Sequence, residues 1–377
     1  QRPMVEKQRV PALDLWRGLI MVVMAVDHVS AFVARRHPAE FWGAAWTRYD
    51  SAAWFLTRFV THICAPGFFF LMGAGIALFA ASRQRLGWSL GRTAGYLFRR
   101  GWLLLAVNQL IENPAWVLGL FSGNAPGAGE AMPGSATPPY GLFTVLTGLG
   151  LSIVASSLLL RFRDWAWWLA GVGAVLVSAV CTPGAAHAAD AFPLWLRLLF
   201  LPGQSGRIVV LYSLVPWFGL TALGVLFGRW MARAGERPLQ LAPWIGAALV
   251  VAALLLRAAG GFGNLRLPRD GGWIEFLNFI KYPPSLVFSL FMLGMNLMLA
   301  PAVRGQWLRT IGQVPLFFYL THLYLYALAG ALFFRGGTGL AGLYGVWAAG
   351  LVPLYFACRG YRSFKESKPA DSFWRFF

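Results

Sequence analysis

Ten runs of mostly apolar residues, each about as long as a bilayer core is thick, divide this chain. They cover residues 12–34, 53–81, 94–116, 140–160, 165–181, 207–231, 241–256, 285–302, 311–334 and 340–358. A helix of about 20 residues spans roughly 30 Å, and in lipid only a helix or a closed barrel satisfies every backbone amide. The pattern predicts an all-α, polytopic transmembrane helix bundle forming one domain over residues 1–377. No repeat is visible, and no segment outside the runs is large enough to fold alone. Charged residues make up only 12% of the chain and hydrophobic ones 58%, whereas a soluble domain carries about 25% charged residues. The 18 Trp suit interfacial belts. The first run holds Asp27 and His28 and continues past any small-residue cleavage site, so it is expected to be a helix and not a removed signal peptide.

Net charge is +18. In a soluble chain that would suggest nucleic acid, but here most basic residues fall between the apolar runs, where the positive-inside rule places them. With the N-terminus in the cytoplasm, the inner segments hold Arg2, Lys7, Arg9, Arg83, Arg85, Arg92, Arg99, Arg100, Arg161, Arg163, Arg229, Arg233, Arg237, Arg304, Arg309, Arg359, Arg362, Lys365, Lys368 and Arg375. The Gly/Pro-rich segment 122–139 on the opposite side holds none. Both termini are therefore expected inside and no nucleic-acid partner is expected. Cys64, Cys181 and Cys358 match no zinc or redox spacing and read as small packing residues, and no metal is expected.

Ionisable residues inside a span cost roughly 2.5–3.5 kcal/mol each and so have a partner or a task. The set read here is Asp27, His28, His62, Glu112 and His322. At about 1.5 Å per residue, His28, Glu112 and His322 lie roughly 24, 27 and 17 Å from the inner face, and His62 roughly 14 Å from the outer one. Four helices thus bring these groups to one layer between the midplane and the outer interface. A buried carboxylate beside an imidazole orients it and supports its charged form, which makes a base usable near neutral pH. Asp27 and His28 point about 100° apart on a helix, so Asp27 is expected to reach across to His62. Asn108, Gln109 and Asn113 extend the polar face toward Glu112.

Other features are local. Asp14 and Arg17, three apart, predict an ion pair at the inner boundary. Pro66 and Gly67 after His62 predict freed carbonyls, and Gly73-Ala74-Gly75 predicts close helix contact. The outer loops 190–204 and 257–282 are long enough for a lid or an acceptor surface, and residues 273–280 could lie amphipathically in the interface. Tyr282-Pro283-Pro284-Ser285 is a rigid entry to a helix, with Lys281 and Tyr282 as candidate substrate contacts. No P-loop, G-x-S-x-G or HExxH is present.

Leu13-Asp14-Leu15-Trp16-Arg17-Gly18 leading to Met24-Ala25-Val26-Asp27-His28 resembles the opening of the bacterial heparan-α-glucosaminide N-acetyltransferase-like membrane proteins. Thr61-His62-Ile63-Cys64-Ala65-Pro66 with Phe70-Leu71-Met72-Gly73 resembles their second helix. Val215-Pro216-Trp217-Phe218-Gly219 with Leu223-Gly224 resembles their middle. Lys281-Tyr282-Pro283-Pro284-Ser285 and the run from Val314-Pro315-Leu316-Phe317 to Thr321-His322-Leu323-Tyr324 resemble their C-terminal half.

The resemblance implies transfer of an acetyl or other short acyl group from cytosolic acetyl-CoA to a sugar amine or hydroxyl on the far side, on a glycan or lipid-linked sugar. The place implied is a bacterial inner membrane, with lipids around the protein and a homodimer possible. It also implies Arg83, Arg85, Arg92, Arg99, Arg100 and Arg163 as candidates to hold CoA phosphates by charge-assisted pairs. The eukaryotic enzymes carry Asn in place of Asp27 and a carboxylate in place of His62, and their catalytic His falls nearest to His37. The base is placed here at His28, with Asp27 and His62, and with Glu112, His322, Asn108, Tyr282, Lys281 and His37 in support. Direct transfer and an acyl-histidine both remain open. The competing reading is a proton-coupled transporter or flippase for an envelope glycan or small metabolite.

Overall fold

In the computed structural model the described residues are 10–38, 40–44, 48–121, 139, 141–269, 271–369, 372 and 374. Most of segment 122–139, residue 140, Arg2, Lys7, Arg9 and Arg375 lie outside them. The described chain is almost wholly helical: α1 (Pro11–Phe32), α2 (Ala52–Thr61), α3 (Cys64–Arg85), α4 (Leu90–Val107), α5 (Asn113–Phe121), α6 (Val145–Leu159), α7 (Asp164–Cys181), α8 (Leu194–Leu199), α9 (Leu214–Ala234), α10 (Arg237–Ala259), α11 (Trp273–Leu277), α12 (Leu286–Leu299), α13 (Gln306–Gln313), α14 (Pro315–Phe333) and α15 (Leu340–Ser367). Eight spans, counting α2–α3 and α4–α5 as one each, are long and apolar enough to cross a membrane. The apolar helices α6 and α12, at 15 and 14 residues, cover only about 21–23 Å. Leu169, Val180, Trp244, Leu255 and Phe333 are largely exposed on α7, α10 and α14. Such apolar surface needs lipid against it.

The ten apolar runs return with shifted ends, and each shift has a local cause. The second run breaks for one turn at His62–Ile63. Pro66 has no N–H for the His62 carbonyl, and the amides of His62 and Ile63 turn to Phe59 and Val60 instead. Asn296 of α12 then donates to the Ile63 carbonyl at 2.8 Å and accepts from Trp16 Nε1 at 3.0 Å. The third run extends to Phe121 through a π-helical turn, Asn108–Glu112. The sixth starts at Leu214, because Ile208 to Val210 belongs to a small sheet. The ninth divides at Val314–Pro315 into α13 and α14. The tenth continues nine residues past the expected end, to Ser367.

The α-helices run between two ends. One, the basic end, gathers the starts of α1, α4, α7, α10 and α14 and the finishes of α3, α6, α9, α12 and α15. The opposite end carries a three-stranded sheet, β1 (Gly141–Phe143), β2 (Gly203–Ser205) and β3 (Ile208–Val210), in the order β1-β3-β2. β3 pairs parallel with β1, Gly141 facing Ile208, and antiparallel with β2, Gly203 facing Val210. The loop read as amphipathic at 273–280 is helical and half-exposed over its first five residues and buried over its last three. Only Trp273–Leu277 is helical, Trp273 packs on Phe55, and Phe279 and Ile280 are buried.

Helices meet at backbone contact where glycine leaves room. A Cβ on Gly224 of α9 would fall 2.0 Å from the Phe70 carbonyl oxygen of α3, and one on Gly312 of α13 would fall 1.8 Å from that of Asp14 in α1. Gly73 is a contact of the same kind, but Gly75 meets nothing. Gly224→Val should therefore cost about 1–3 kcal/mol or more and lower the melting temperature in detergent. Gly173→Ala, with nothing within 4 Å, should not. A Gly224→Val protein that melts with the wild type would contradict this crossing.

Candidate active site

α1 leaves the core at Val33–Ala34, and the chain turns back through Arg35, whose φ of 59° is in the left-handed region. The Arg35 guanidinium fixes this turn by donating to the carbonyls of Gly330 at 3.1 Å, Phe334 and Gly119, at the ends of α14 and α5. The returning loop brings His37 and Glu40 against α1 and α2. Backbone amides of Lys281 and Tyr282 donate to the Glu40 carbonyl, both at 3.0 Å, and Trp42 donates to that of Tyr282.

A buried ion cluster results. Ser51 caps α2 by accepting from the Trp54 amide, and the inner face of that helix carries Arg58 and Thr61. Arg58 grips Glu40 with two parallel hydrogen bonds, 2.9 and 2.7 Å, and donates to Asp27 at 2.5 Å. Thr61 also donates to Asp27, at 3.0 Å. His37 Nδ1 lies 3.6 Å from Asp27 and His62 Nε2 lies 3.3 Å from Glu40. Asp27 therefore does not reach His62. Arg58, long enough to serve two carboxylates, lies between. Lys281 is buried within electrostatic reach of Asp27. Burial works against charge on Glu40, but Arg58 and then His62 hold its carboxyl well below the usual range. Burial pushes His37 down to about 4, with Asp27 only partly opposing it. His37 is thus neutral at physiological pH.

A second cluster adjoins the first. His28 Nδ1 and His322 Nε2 are 2.6 Å apart, and His322 Nδ1 is 2.9 Å from the Phe318 carbonyl. That carbonyl can only accept, so His322 carries its proton on Nδ1. In the neutral pair His28 must then donate from Nδ1, which leaves a lone pair on His28 Nε2. Trp116 stands edge-on to His28, with ring centres 5.1 Å apart, and its centre is 6.3 Å from His37. Trp116 Nε1 donates to Glu112 at 3.2 Å and Asn108 donates to the other Glu112 oxygen at 2.7 Å. Thr144 and Tyr319 hydroxyls donate to Glu112 as well. The π-turn places Asn108 and Glu112 together, and the Tyr324 hydroxyl accompanies it with a bond to the Ile111 carbonyl at 2.8 Å.

Two cavities flank this layer. A cleft of about 390 Å³ is walled by α1, α3, α4, α6 and α14. Its inner reach ends at Tyr319, and its lining includes Arg17, Arg100 and Lys365 at the basic end. A polar cavity of about 610 Å³ lies at the opposite end, lined by His37, Arg58, Arg48, Tyr49, Asp50 and Trp54 among others. Along α1, Arg17 and Met21 face the cleft, His28 follows, and Ser30 and Ala34 face the polar cavity.

The family model for the catalytic region of heparan-alpha-glucosaminide N-acetyltransferase matches residues 9–258, well over half of the chain. The chain belongs to this family. It is accordingly an integral membrane protein of a transmembrane acetyltransferase family. No curated protein matches the chain. The heparan-alpha-glucosaminide N-acetyltransferase match takes in Asp27, His28, His37, Glu40, Arg58, His62 and Glu112, whereas Lys281 and His322 lie beyond it.

Asp27, His28, His62, Glu112 and His322 are all buried, and the structure joins them in these two adjoining clusters, whereas Gln109 and Asn113 are only half-buried. Tyr282, though buried, bonds the Tyr212 hydroxyl at 3.1 Å and lines neither cavity. Of the six arginines singled out for a phosphate ligand, Arg100 alone lines the cleft. Arg83 packs on Phe79 and Trp88, Arg92 on Trp88, and Arg85, Arg99 and Arg163 are exposed. The Asp14–Arg17 pair is present at 3.2 Å, with Arg17 also in the cleft wall. Sequence reasoning missed Arg58, Glu40, Trp116 and Tyr319. Arg58 carried a signal, as an arginine within an apolar run. Among the described residues no group of three or more His, Cys, Asp or Glu could hold a metal ion.

Removing Arg58 strands two buried carboxylates, so Arg58→Met should cost about 3–5 kcal/mol, with partial recovery in Arg58→Met/Glu40→Gln. Thermal melts in detergent check both. His37 titrates near 4 folded against 6.5 for a free imidazole. Between those values the unfolded chain binds the extra proton, so acid destabilises the folded state. His37→Asn should therefore gain in melting temperature relative to wild type as pH falls from 7 to 4.5, and equal pH slopes would contradict it.

Proposed function

We propose that the protein moves an acetyl group from acetyl-CoA in the cleft to a sugar amine or hydroxyl in the polar cavity. The observation that carries this reading is the pair of cavities entered from opposite ends and separated by one layer of imidazoles and carboxylates. The basic end is cytoplasmic by the positive-inside rule, which makes the donor cytosolic and the acceptor external. In the donor pose, phosphates lie by Arg17, Arg100 and Lys365, the pantetheine arm follows the apolar walls, and the thioester reaches Tyr319.

The acceptor has to touch its base. His37 lines the polar cavity, whereas His28, the base favoured from the sequence, lines neither cavity. We therefore place the base at His37. Its neutral imidazole takes the proton as the acceptor nitrogen or oxygen attacks the thioester carbonyl. The new C–N or C–O bond forms, the C–S bond breaks, and the sulfur leaves with the electron pair and is protonated to free CoA. Asp27, held by Arg58 and Thr61, supports the imidazolium. In this proposal the layer at the His28–His322 pair and Trp116 gives way for the thioester to meet the acceptor beside His37, with His28 Nε2 as a second basic site along that path.

Acetyl-CoA turnover onto glucosamine by the detergent-purified protein tests this. Loss of the base should lower kcat about 10²–10⁴-fold in His37→Asn, and His28→Gln should be the milder variant. Gly75 lines the cleft with open space where its Cβ would be. Gly75→Leu should fold well, since leucine improves helix propensity by up to about 1 kcal/mol, yet raise KM for acetyl-CoA by filling the cleft. Wild-type kcat in His37→Asn would move the base elsewhere. Absence of turnover together with no thermal shift on adding CoA would remove the acetyl-CoA reading.

A further inference from the structure

The last helix does more than span. Little of α15 is buried in its apolar part, yet its C-terminal turns, which run on past the expected membrane boundary, are fixed to the bundle. Tyr361 lies flat on Phe317 of α14, with ring centres 4.2 Å apart and planes 2° apart, and its hydroxyl donates to the Trp374 carbonyl at 2.8 Å. Lys365 is four residues further along and so shares the face of Tyr361. That face brings Lys365 into the wall of the 390 Å³ cleft, with Arg17 and Arg100. Phe317 is next to Leu316, itself a lining residue.

The order of the cations along the cleft is set by the helices that carry them. α4 enters from the basic end at Leu90, so Leu104 is deepest and Arg100 one turn shallower. Lys365 is in the final turn of α15, two residues from its end at Ser367, closer to a basic-end helix terminus than Arg17 in α1 or Arg100 in α4. An extended acetyl-CoA laid with its thioester at Tyr319 presents its phosphates in the same order. The pyrophosphate comes first, and the ribose 3′-phosphate comes last.

Resting on the donor site proposed above, we infer that the α15 extension is a donor clamp in which Lys365 recognises the ribose 3′-phosphate and sets the preference for CoA over donors that lack this group. Tyr361 is a positioning residue that holds the clamp against α14. This element lies outside the matched region, residues 9–258. Lysine suits the task as a compact charge on a flexible stem, since one monodentate phosphate needs no planar fork.

The test compares acetyl-CoA, acetyl-dephospho-CoA and acetyl-pantetheine as donors for the full chain in detergent. Wild type should show a KM for acetyl-CoA roughly 5–10-fold below that for acetyl-dephospho-CoA, the scale of one partly exposed charge-assisted contact. Lys365→Ala should erase that ratio by raising only the acetyl-CoA KM, with kcat and acetyl-pantetheine turnover unchanged. The pantetheine donor thus reports an intact fold. Lys365→Arg should restore most of the ratio, and Tyr361→Ala should raise the acetyl-CoA KM without removing a charge. Lys368→Ala is the control, since Lys368 lies over Phe364 and not in the cleft. An unchanged ratio in Lys365→Ala, or an equal loss in Lys368→Ala, would overturn the clamp and leave acetyl transfer standing. No turnover from any donor would remove the reading on which the clamp rests.

Discussion

A guanidinium taken out of water inside a helix bundle needs full compensation, and Arg58 receives it from two carboxylates of different origin. Asp27 comes from the α1 span and Glu40 from a loop that folds back between helices. Lys281 adds a second positive charge nearby, brought in by the backbone bonds that its segment makes to Glu40. The cluster therefore fixes three things together: the loop after α1, the end of α2 and the approach to α12. His37 inherits its position from that arrangement.

The neighbouring network works by a different logic. Glu112 collects hydrogen bonds from Trp116, Tyr319, Asn108 and Thr144, and the His28–His322 pair, bonded to each other and to the Phe318 carbonyl, packs against it through Trp116 and Tyr319. A fully satisfied polar network in a low-dielectric layer is rigid and specific, and a partly satisfied one is costly. The backbone carbonyl of Phe318 sets the direction of the whole histidine pair, because it cannot donate. One end of this network touches the cleft through Tyr319, and the other approaches the polar cavity through Trp116 beside His37.

The helices were legible because hydrocarbon thickness and backbone satisfaction leave few alternatives, and the ten apolar runs return as helices. Their ends were less legible. The π-turn at Asn108, the split at Pro315 and the small sheet at Ile208 depend on tertiary neighbours that hydropathy does not encode. For the site, the intramembrane rule found Asp27, His28, His62, Glu112 and His322, since each breaks an apolar run. The same rule applied evenly would have found Arg58, and with it the true partner of Asp27. Glu40 had no such signal: it lies between runs, where a solvated acid is the usual expectation. The cleft cations were hard to choose because a positive-inside segment supplies many arginines and only three-dimensional order selects Arg100, Arg17 and Lys365.

The turn at Asn108–Glu112 holds one residue more than an α-helical frame would. Downstream of it, every side chain is rotated by about 100° relative to a continuous helix. α4 and α5 thus behave as two throws of a crankshaft on one axis. The first leans its face on α6, where Gly101 meets Gly150, and the second turns Trp116 and Gly119 toward α1 and α14. A single membrane crossing in this way lines the cleft over its first half and packs beside His37 over its second.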